Sequence, residues 1–286
     1  MYFFMHALSW TLSQVPISML DRMAQAIGWF AFSALRIRRN VILKNLRIAF
    51  PEKTKEQHLE IAAASFYHFT CTVLELLSVR NGTLGDTVII HGEHHIREAL
   101  EQNQGVYIIC GHQGNWEAMA SAASHRIRHA YVVVKSVGSP GTDRFLTELR
   151  TKNGLFRIER KSKGDGVRGM LKAMKRNELV GVMVDQSRPG APFLPFFGKM
   201  AKTNTGMAYI WSRYKAPLVS AYTRRISFGR HEVTFSPQFD LKVTGDLQAD
   251  VLTHSTQFNA AMEEMIRACP HQYLWMHNRW KGSPDL

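Results

Sequence analysis

The sequence predicts an α/β protein, with a mostly parallel or mixed central sheet flanked by helices and a helical, membrane-associated amino-terminal part. Two observations carry the first half of this reading. Short apolar runs of strand length alternate with helical stretches from residue 87 onward, the pattern of strand–helix layers. Residues 55–79 show helical periodicity, with Leu59, Ala62, Ala63, Phe66, Phe69 and Val73 on one face. A third observation carries the second half: residues 1–20 contain no Asp, Glu, Lys or Arg.

Those residues, MYFFMHALSWTLSQVPISML, lack the positive start and small-residue cleavage site of a secretory signal. They are long enough to cross a bilayer but are diluted by His6, Ser9, Thr11, Ser13, Gln14 and Pro16. Asp21 and Arg22 interrupt, and the uncharged run 23–35 has only 13 residues. Arg36, Arg38, Arg39, Lys44 and Arg47 follow, and anionic headgroups stabilise such cations by about 1 kcal/mol each. If residues 1–20 cross, this cluster leaves the rest of the chain in the cytoplasm. Spanning and lying in the interface both stay open, as does a pair of core helices with a solvated basic end.

Pro51 ends the basic helix, and the chain divides into an amino-terminal membrane-associated segment, 1–50, and an α/β domain, 51–286. After the 55–79 helix, Asn81-Gly82 marks a turn. Candidate strands are 87–90, 106–110, 131–135, 179–184, 217–222 and 232–235, and candidate helices lie near 95–102, 116–127, 142–152, 166–176 and 204–214. A last helix near 249–268 ends before Pro270.

Composition narrows the function classes. With 45% apolar and 21% charged residues, the chain is neither disordered, collagen-like nor a polytopic membrane protein. Its 36 basic and 23 acidic residues give a net charge of +13, which suits an acidic partner: nucleic acid, an anionic membrane or an acidic protein. The basic residues are scattered, with no stripe and no interleaved aromatics, so nucleic acid is not expected. Cys71, Cys110 and Cys269 form neither a zinc pattern nor a disulfide framework, which fits a reducing compartment. His91, Glu93, His94 and His95 are spaced too tightly for a tetrahedral metal site.

The chemistry concentrates in residues 105–117, GVYIICGHQGNWE. An apolar strand runs into Gly111 and His112, and Glu117 opens the next helix. Ligands bind at the carboxyl ends of strands in such sheets. Across a glycine-containing turn, His112 and Glu117 can face one cleft, where a carboxylate on one imidazole nitrogen fixes the tautomer and leaves the other to take a proton. Backbone N–H groups at the helix start can hold an oxyanion. Cys110, the last residue of the strand, reads as a buried apolar thiol.

The block GHQGNWE resembles the His-x4-Glu motif of the bacterial lipid A biosynthesis acyltransferases. Further blocks match in the same order: Asn45-Leu46 with Phe50-Pro51-Glu52; residues 131–135 with Asp143 and Arg150; Val184-Asp185-Gln186 followed by Pro195-Phe196-Phe197-Gly198; and residues 272–277, QYLWMH, with Arg279. The resemblance covers about residues 40–280. It implies transfer of a fatty acyl chain from acyl carrier protein, or another acyl thioester, to a lipid hydroxyl at the cytoplasmic face of the inner membrane. His112 would be the general base and Glu117 its partner, with no metal, organic cofactor or acyl-enzyme. The implied partners are acyl carrier protein, itself acidic, a membrane lipid acceptor and the anionic inner-membrane surface. The acceptor is a lipid A precursor or, alternatively, a lysophospholipid, ornithine lipid or other glycolipid.

Around this pair, Asn115 either contacts substrate or caps the helix. Lys135, Arg150 and Arg168 can hold a phosphate or phosphopantetheine arm, or are surface charge. Asp185, with Gln186 after it, is a site residue or a structural anchor. Phe193, Phe196 and Phe197, with Gly198, line an acyl channel or belong to the core.

Overall fold

A computed structural model describes residues 1–79, 82–134, 138–158 and 164–286. Asn81 of the expected turn and Lys135 lie outside them. The described residues form the predicted α/β layers, with a seven-stranded sheet in the order β1-β9-β8-β2-β5-β3-β4. The strands are β1 (Val88–His91), β2 (Val106–Cys110), β3 (Ala130–Val133), β4 (Leu155–Ile158), β5 (Leu179–Met183), β8 (Leu218–Ser227) and β9 (Arg230–Phe235). Pairing is parallel except between β8 and β9. β6 (Phe193–Phe196) and β7 (Lys199–Lys202) form a separate antiparallel hairpin.

The helices are α1 (Tyr2–Gln14), α2 (Ile17–Trp29), α3 (Arg39–Ala49), α4 (Lys55–Ser78), α5 (Glu93–Glu101), α6 (Trp116–Arg126), α7 (Pro140–Lys152), α8 (Asp165–Met174), α9 (Gly206–Tyr214) and α10 (Leu247–Ala268). They cover the sheet on two sides. Val106, Ile108 and Cys110 of β2 face a core built with α5, α6 and α7, while Tyr107 and Ile109 face one built with α8, α9 and α10. The alternation follows from the two-residue period of a strand. All five β2 residues are buried, so their run of apolar residues is continuous.

The amino-terminal stretch is broken at Val15-Pro16 into two helices of 13 residues each. At 1.5 Å per residue each is about 20 Å long, shorter than the roughly 30 Å hydrocarbon core of a bilayer. Both pack on α4. Leu12, Leu20, Ala24 and Gly28 are buried, whereas Phe3, Phe4, Trp10, Ile17, Met19, Ile27, Trp29 and Phe30 are exposed. A Cβ at Gly28 would sit 2.9 Å from the Tyr67 Cα, so only glycine permits this close helix crossing. The expected boundary at residue 50 falls between two helices of one core: α3 buries Ile42, Leu46 and Ala49, and Asn45 donates to the carbonyls of Trp275 and His277.

Helix α4 is capped by a reciprocal pair in which the Thr54 hydroxyl accepts from the Gln57 N–H and the Gln57 side chain accepts from the Thr54 N–H. Its expected apolar face needs correcting. Ala63 and Val73 are exposed, while Cys71, Thr72, Leu74, Glu75, Leu76 and Leu77 are all buried, because the second half of α4 is covered nearly all round. Among the described residues it is the one helix long and apolar enough to cross a membrane, yet more than half of that stretch is buried within the protein.

Buried Glu75 is held by a second buried charge. Arg225 donates to it through Nε at 2.9 Å and a terminal nitrogen at 2.7 Å, and also to the His68 carbonyl and the Thr72 hydroxyl. Burial pushes the neighbouring histidines His68 and His231 down to about 3 and about 4, so both are neutral. Glu75 also accepts from Asn115 at 2.7 Å, tying the pair to the start of α6. A lysine cannot reproduce this planar set of donors. Arg225→Lys is therefore expected to lower folding stability by about 1–3 kcal/mol, read as a lower denaturant midpoint.

Candidate active site

The site sits at the carboxyl ends of β2 and β5. These strands pair in parallel with Cys110 opposite Met183. Two residues further along each chain lie His112 and Asp185, so the register itself brings them together. His112 Nδ1 lies 2.9 and 3.0 Å from the two carboxylate oxygens of Asp185, and the His112 backbone N–H donates to the same carboxylate at 2.8 Å. A carboxylate only accepts, so Nδ1 carries the hydrogen. The Asp185 side chain is 2% exposed and that of His112 20%, which leaves the imidazole as the reachable member.

Burial alone would lower the His112 pKa. The charge and hydrogen bond of Asp185, with the charge of Glu117, outweigh it and raise the pKa above its ordinary value. Burial would raise Asp185, but the imidazole's charge and hydrogen bonds and the charge of Arg279 hold it below the usual carboxylate range. Burial and the nearby Asp185 charge push the Tyr273 phenol well above its ordinary value.

Glu117 does not bind the imidazole, contrary to the expected pairing. In the first turn of α6 its carboxylate is gripped by Arg150 from the last turn of α7, with Nε at 3.1 and 3.0 Å and a terminal nitrogen at 2.5 Å. Each charge complements its helix end. Trp116 packs edge-on against His112, with ring centres 5.0 Å apart.

The loop between His112 and α6 is clamped by the carboxy-terminal block of the sequence. His112 O accepts from Leu274 N, Gly114 N donates to Gln272 O, and Gln113 bridges to Tyr273. Gly114 has φ +56°, and a Cβ there would lie 2.6 Å from the Thr223 carbonyl oxygen, so conformation and space both demand glycine. The Thr72 hydroxyl donates to the Gly114 carbonyl.

Beside the pair opens a cavity of about 770 Å³. His112, Trp116, Glu117, Arg150, Gln186, Ser187 and Arg188 supply its polar lining, and Ile108, Cys110, Met119, Val132, Met170, Met183 and Ile210 contribute to its apolar walls. The walls come from both cores because the strand order reverses here. β3 and β5 pair only from Ala130–Leu179 to Val132–Gly181 and are not paired beyond, which opens a crevice at the switch point.

Other expected site residues lie elsewhere. Asn115 is buried, accepts from Ala118 N and donates to Glu75, so it is the helix cap rather than a substrate contact. Arg168 is exposed on α8 and paired with Asp165, as surface charge. Phe197 packs among Phe50, Phe196, Trp275 and Trp280, and Gly198 turns the β6–β7 hairpin. Neither lines the cavity, because this hairpin covers the α10 side of the core, with Asn259 donating to the Pro195 carbonyl and Arg279 bonded to Lys202. Asp143 pairs with Arg157. The sequence reading missed Ser187, whose N–H and hydroxyl both meet His277 Nε2, at 3.1 and 3.0 Å. The signal was there in the shared block structure: the carboxy-terminal signature folds over the Asp185-Gln186 turn.

Fold and site define a class: an α/β protein with a histidine–carboxylate pair at the mouth of an apolar cavity. The profile of the bacterial lipid A biosynthesis acyltransferases matches residues 1–282. The chain belongs to that family and is an acyltransferase. It is 24% identical to the lipid A biosynthesis palmitoleoyltransferase of Escherichia coli (strain K12) over 283 residues, covering 96% of this chain and 89% of that protein. It is 23% identical to the lipid A biosynthesis lauroyltransferase of the same organism, covering 96% and 90%. A lipid A biosynthesis acyltransferase of Haemophilus influenzae is 24% identical, covering 95% and 87%.

Proposed function

We propose that this chain transfers a fatty acyl group from the thioester of acyl carrier protein to a hydroxyl of a lipid A precursor, at the cytoplasmic face of the inner membrane. The observation that carries the proposal is a His112 whose Nδ1 is fixed by Asp185 at the mouth of a large apolar cavity. The acceptor hydroxyl gives its proton to Nε2 as its oxygen attacks the thioester carbonyl. The Asp185 carboxylate supports the imidazolium formed. The carbon–sulfur bond then breaks, and the leaving thiolate takes the proton back from the imidazolium. Glu117, held in place by Arg150, adds negative potential near the ring and forms the polar edge of the mouth. The cavity holds the hydrocarbon.

Charge supports both partners. A +13 chain attracts an acidic carrier protein and an anionic membrane alike. The exposed apolar residues of α1 and α2, followed by exposed Arg36, Arg38, Lys44 and Arg47, suit helices lying in the interface. Replacing both Phe4 and Trp10 by Ser is expected to reduce binding to anionic vesicles at least tenfold, since a buried apolar side chain contributes about 1.5–3 kcal/mol. Flotation would show this, with raised salt weakening the wild type as well.

The decisive experiment is lipid mass spectrometry on cells making the wild-type chain. A lipid A species that gains one acyl unit supports the proposal. Gain on a phospholipid or ornithine lipid instead would replace the acceptor and keep the chemistry.

A further inference from the structure

Gly181 lies in the middle of β5, a strand flanked by β2 and β3, in register with Ile108 on one side and Val132 on the other. A glycine inside a strand weakens it and marks a place where another backbone or a ligand comes close. No backbone requires it here. A Cβ at Gly181 would meet the Tyr131 carbonyl oxygen and a Val132 methyl at 3.7 Å, ordinary contact, whereas at Gly114 it would strike backbone at 2.6 Å. Its φ lies outside the left-handed region that excludes side chains. Neither conformation nor packing therefore selects glycine.

What borders Gly181 is the cavity, which Ile108 and Val132 also line. Gly181 precedes Asp185 by four residues, the last two beyond the end of β5, so it lies at most about 13 Å below it at roughly 3.3 Å per residue. One row deeper, Leu179 is fully buried beside Ala130, which lines the cavity. A slot between Ile108 and Val132, left open by the missing side chain, thus lies along the cavity wall between the reacting end and this apolar row.

We propose that Gly181 is a specificity-determining residue for the length of the acyl chain transferred. Its missing side chain lets the far end of the donor's hydrocarbon pass between Ile108 and Val132 toward Ala130. This rests on the acyltransfer reading above. A side chain at 181 would close the slot and shorten the chain that fits, while the reacting pair above stays as it is.

The test uses the full chain as wild type, Gly181→Ala and Gly181→Leu. Each is given competing acyl carrier protein thioesters differing by two carbons, with a hydroxyacylated lipid A precursor as acceptor, and products are read by mass spectrometry. Thermal unfolding is recorded alongside. Gly181→Leu is expected to shift preference away from the wild type's longest donor by at least about tenfold, the scale on which apolar pockets discriminate methylenes. Gly181→Ala should shift it less, in the same direction, and carries the test if the leucine variant unfolds. An unchanged chain-length profile in a folded, active variant would overturn the inference and leave the acyltransfer reading standing. So would a rise in KM for the acceptor with donor preference intact, since the slot would then hold the acceptor's chain. Absence of transfer by the wild type itself with all donors would remove the acyltransfer reading and this inference with it.

Discussion

Replacing His112 with alanine is expected to lower the turnover number by about 10²–10⁴-fold, the usual contribution of a positioned general base. The effect should fall on kcat, because the walls that would hold the hydrocarbon come from other residues: Ile108, Met119, Val132 and Met170 are untouched. Folding should survive. His112 is partly exposed, and the two backbone bonds that anchor its loop, from Leu274 N to the His112 carbonyl and from Gly114 N to the Gln272 carbonyl, do not use its side chain. The measurement is a steady-state comparison of purified wild type and variant, with circular dichroism to confirm the fold. A folded variant with wild-type kcat would rule out His112 as the base.

Asp185→Asn should be nearly as damaging, about 10²–10⁴-fold in rate, and should also move the pH profile. The base works as neutral imidazole. Its pKa is raised in the wild type because the Asp185 charge and hydrogen bond outweigh burial. Activity should therefore rise through a limb lying above the ordinary histidine value of about 6.5. With asparagine the charge is gone and burial dominates, so the limb moves to lower pH. The amide can also present its NH₂ to Nδ1 and favour the wrong tautomer. A rate loss with no movement of the limb would mean that Asp185 acts only as a structural anchor.

The same pair sets a window of stability. Asp185 has a depressed folded pKa, so its contribution is present above the unfolded value, about 3.9, and is lost as pH falls through the depressed one. His112 has a raised folded pKa, so its contribution is full below about 6.5 and is lost as pH rises through the raised one. Charged together, the two stabilise the fold most between those limits. In Asp185→Asn, denaturant midpoints measured across pH should lose this maximum.

Much of the architecture was legible because its causes are local. The continuous apolar run of β2 announced a strand and Pro51 the end of a helix; the break at Pro16 and the Thr54–Gln57 cap are equally local but went unread. Elements without such local signals were missed. β4 carries Arg157 within four residues, and β6 contains Pro195, so neither reads as an apolar run. β8 runs to Ser227, well past the expected 222, because it pairs with β9 as far as Ser227–Arg230, and there Arg225 meets Glu75, 150 residues away in sequence.

The sequence by itself determined that His112 stands at the end of a buried strand, ahead of a helix that Glu117 helps to open, in a basic chain with an uncharged start. Only the tertiary structure decided which carboxylate the imidazole would meet. Asp185 lies 73 residues from His112, and the two join because β2 and β5 are neighbours in a register that places Cys110 opposite Met183. Glu117, five residues from His112, is turned instead toward Arg150 by the packing of α6 and α7. Spacing along a chain limits what can touch. Strand register and helix packing choose among the partners that remain, and both are settled by burying the two faces of the sheet together.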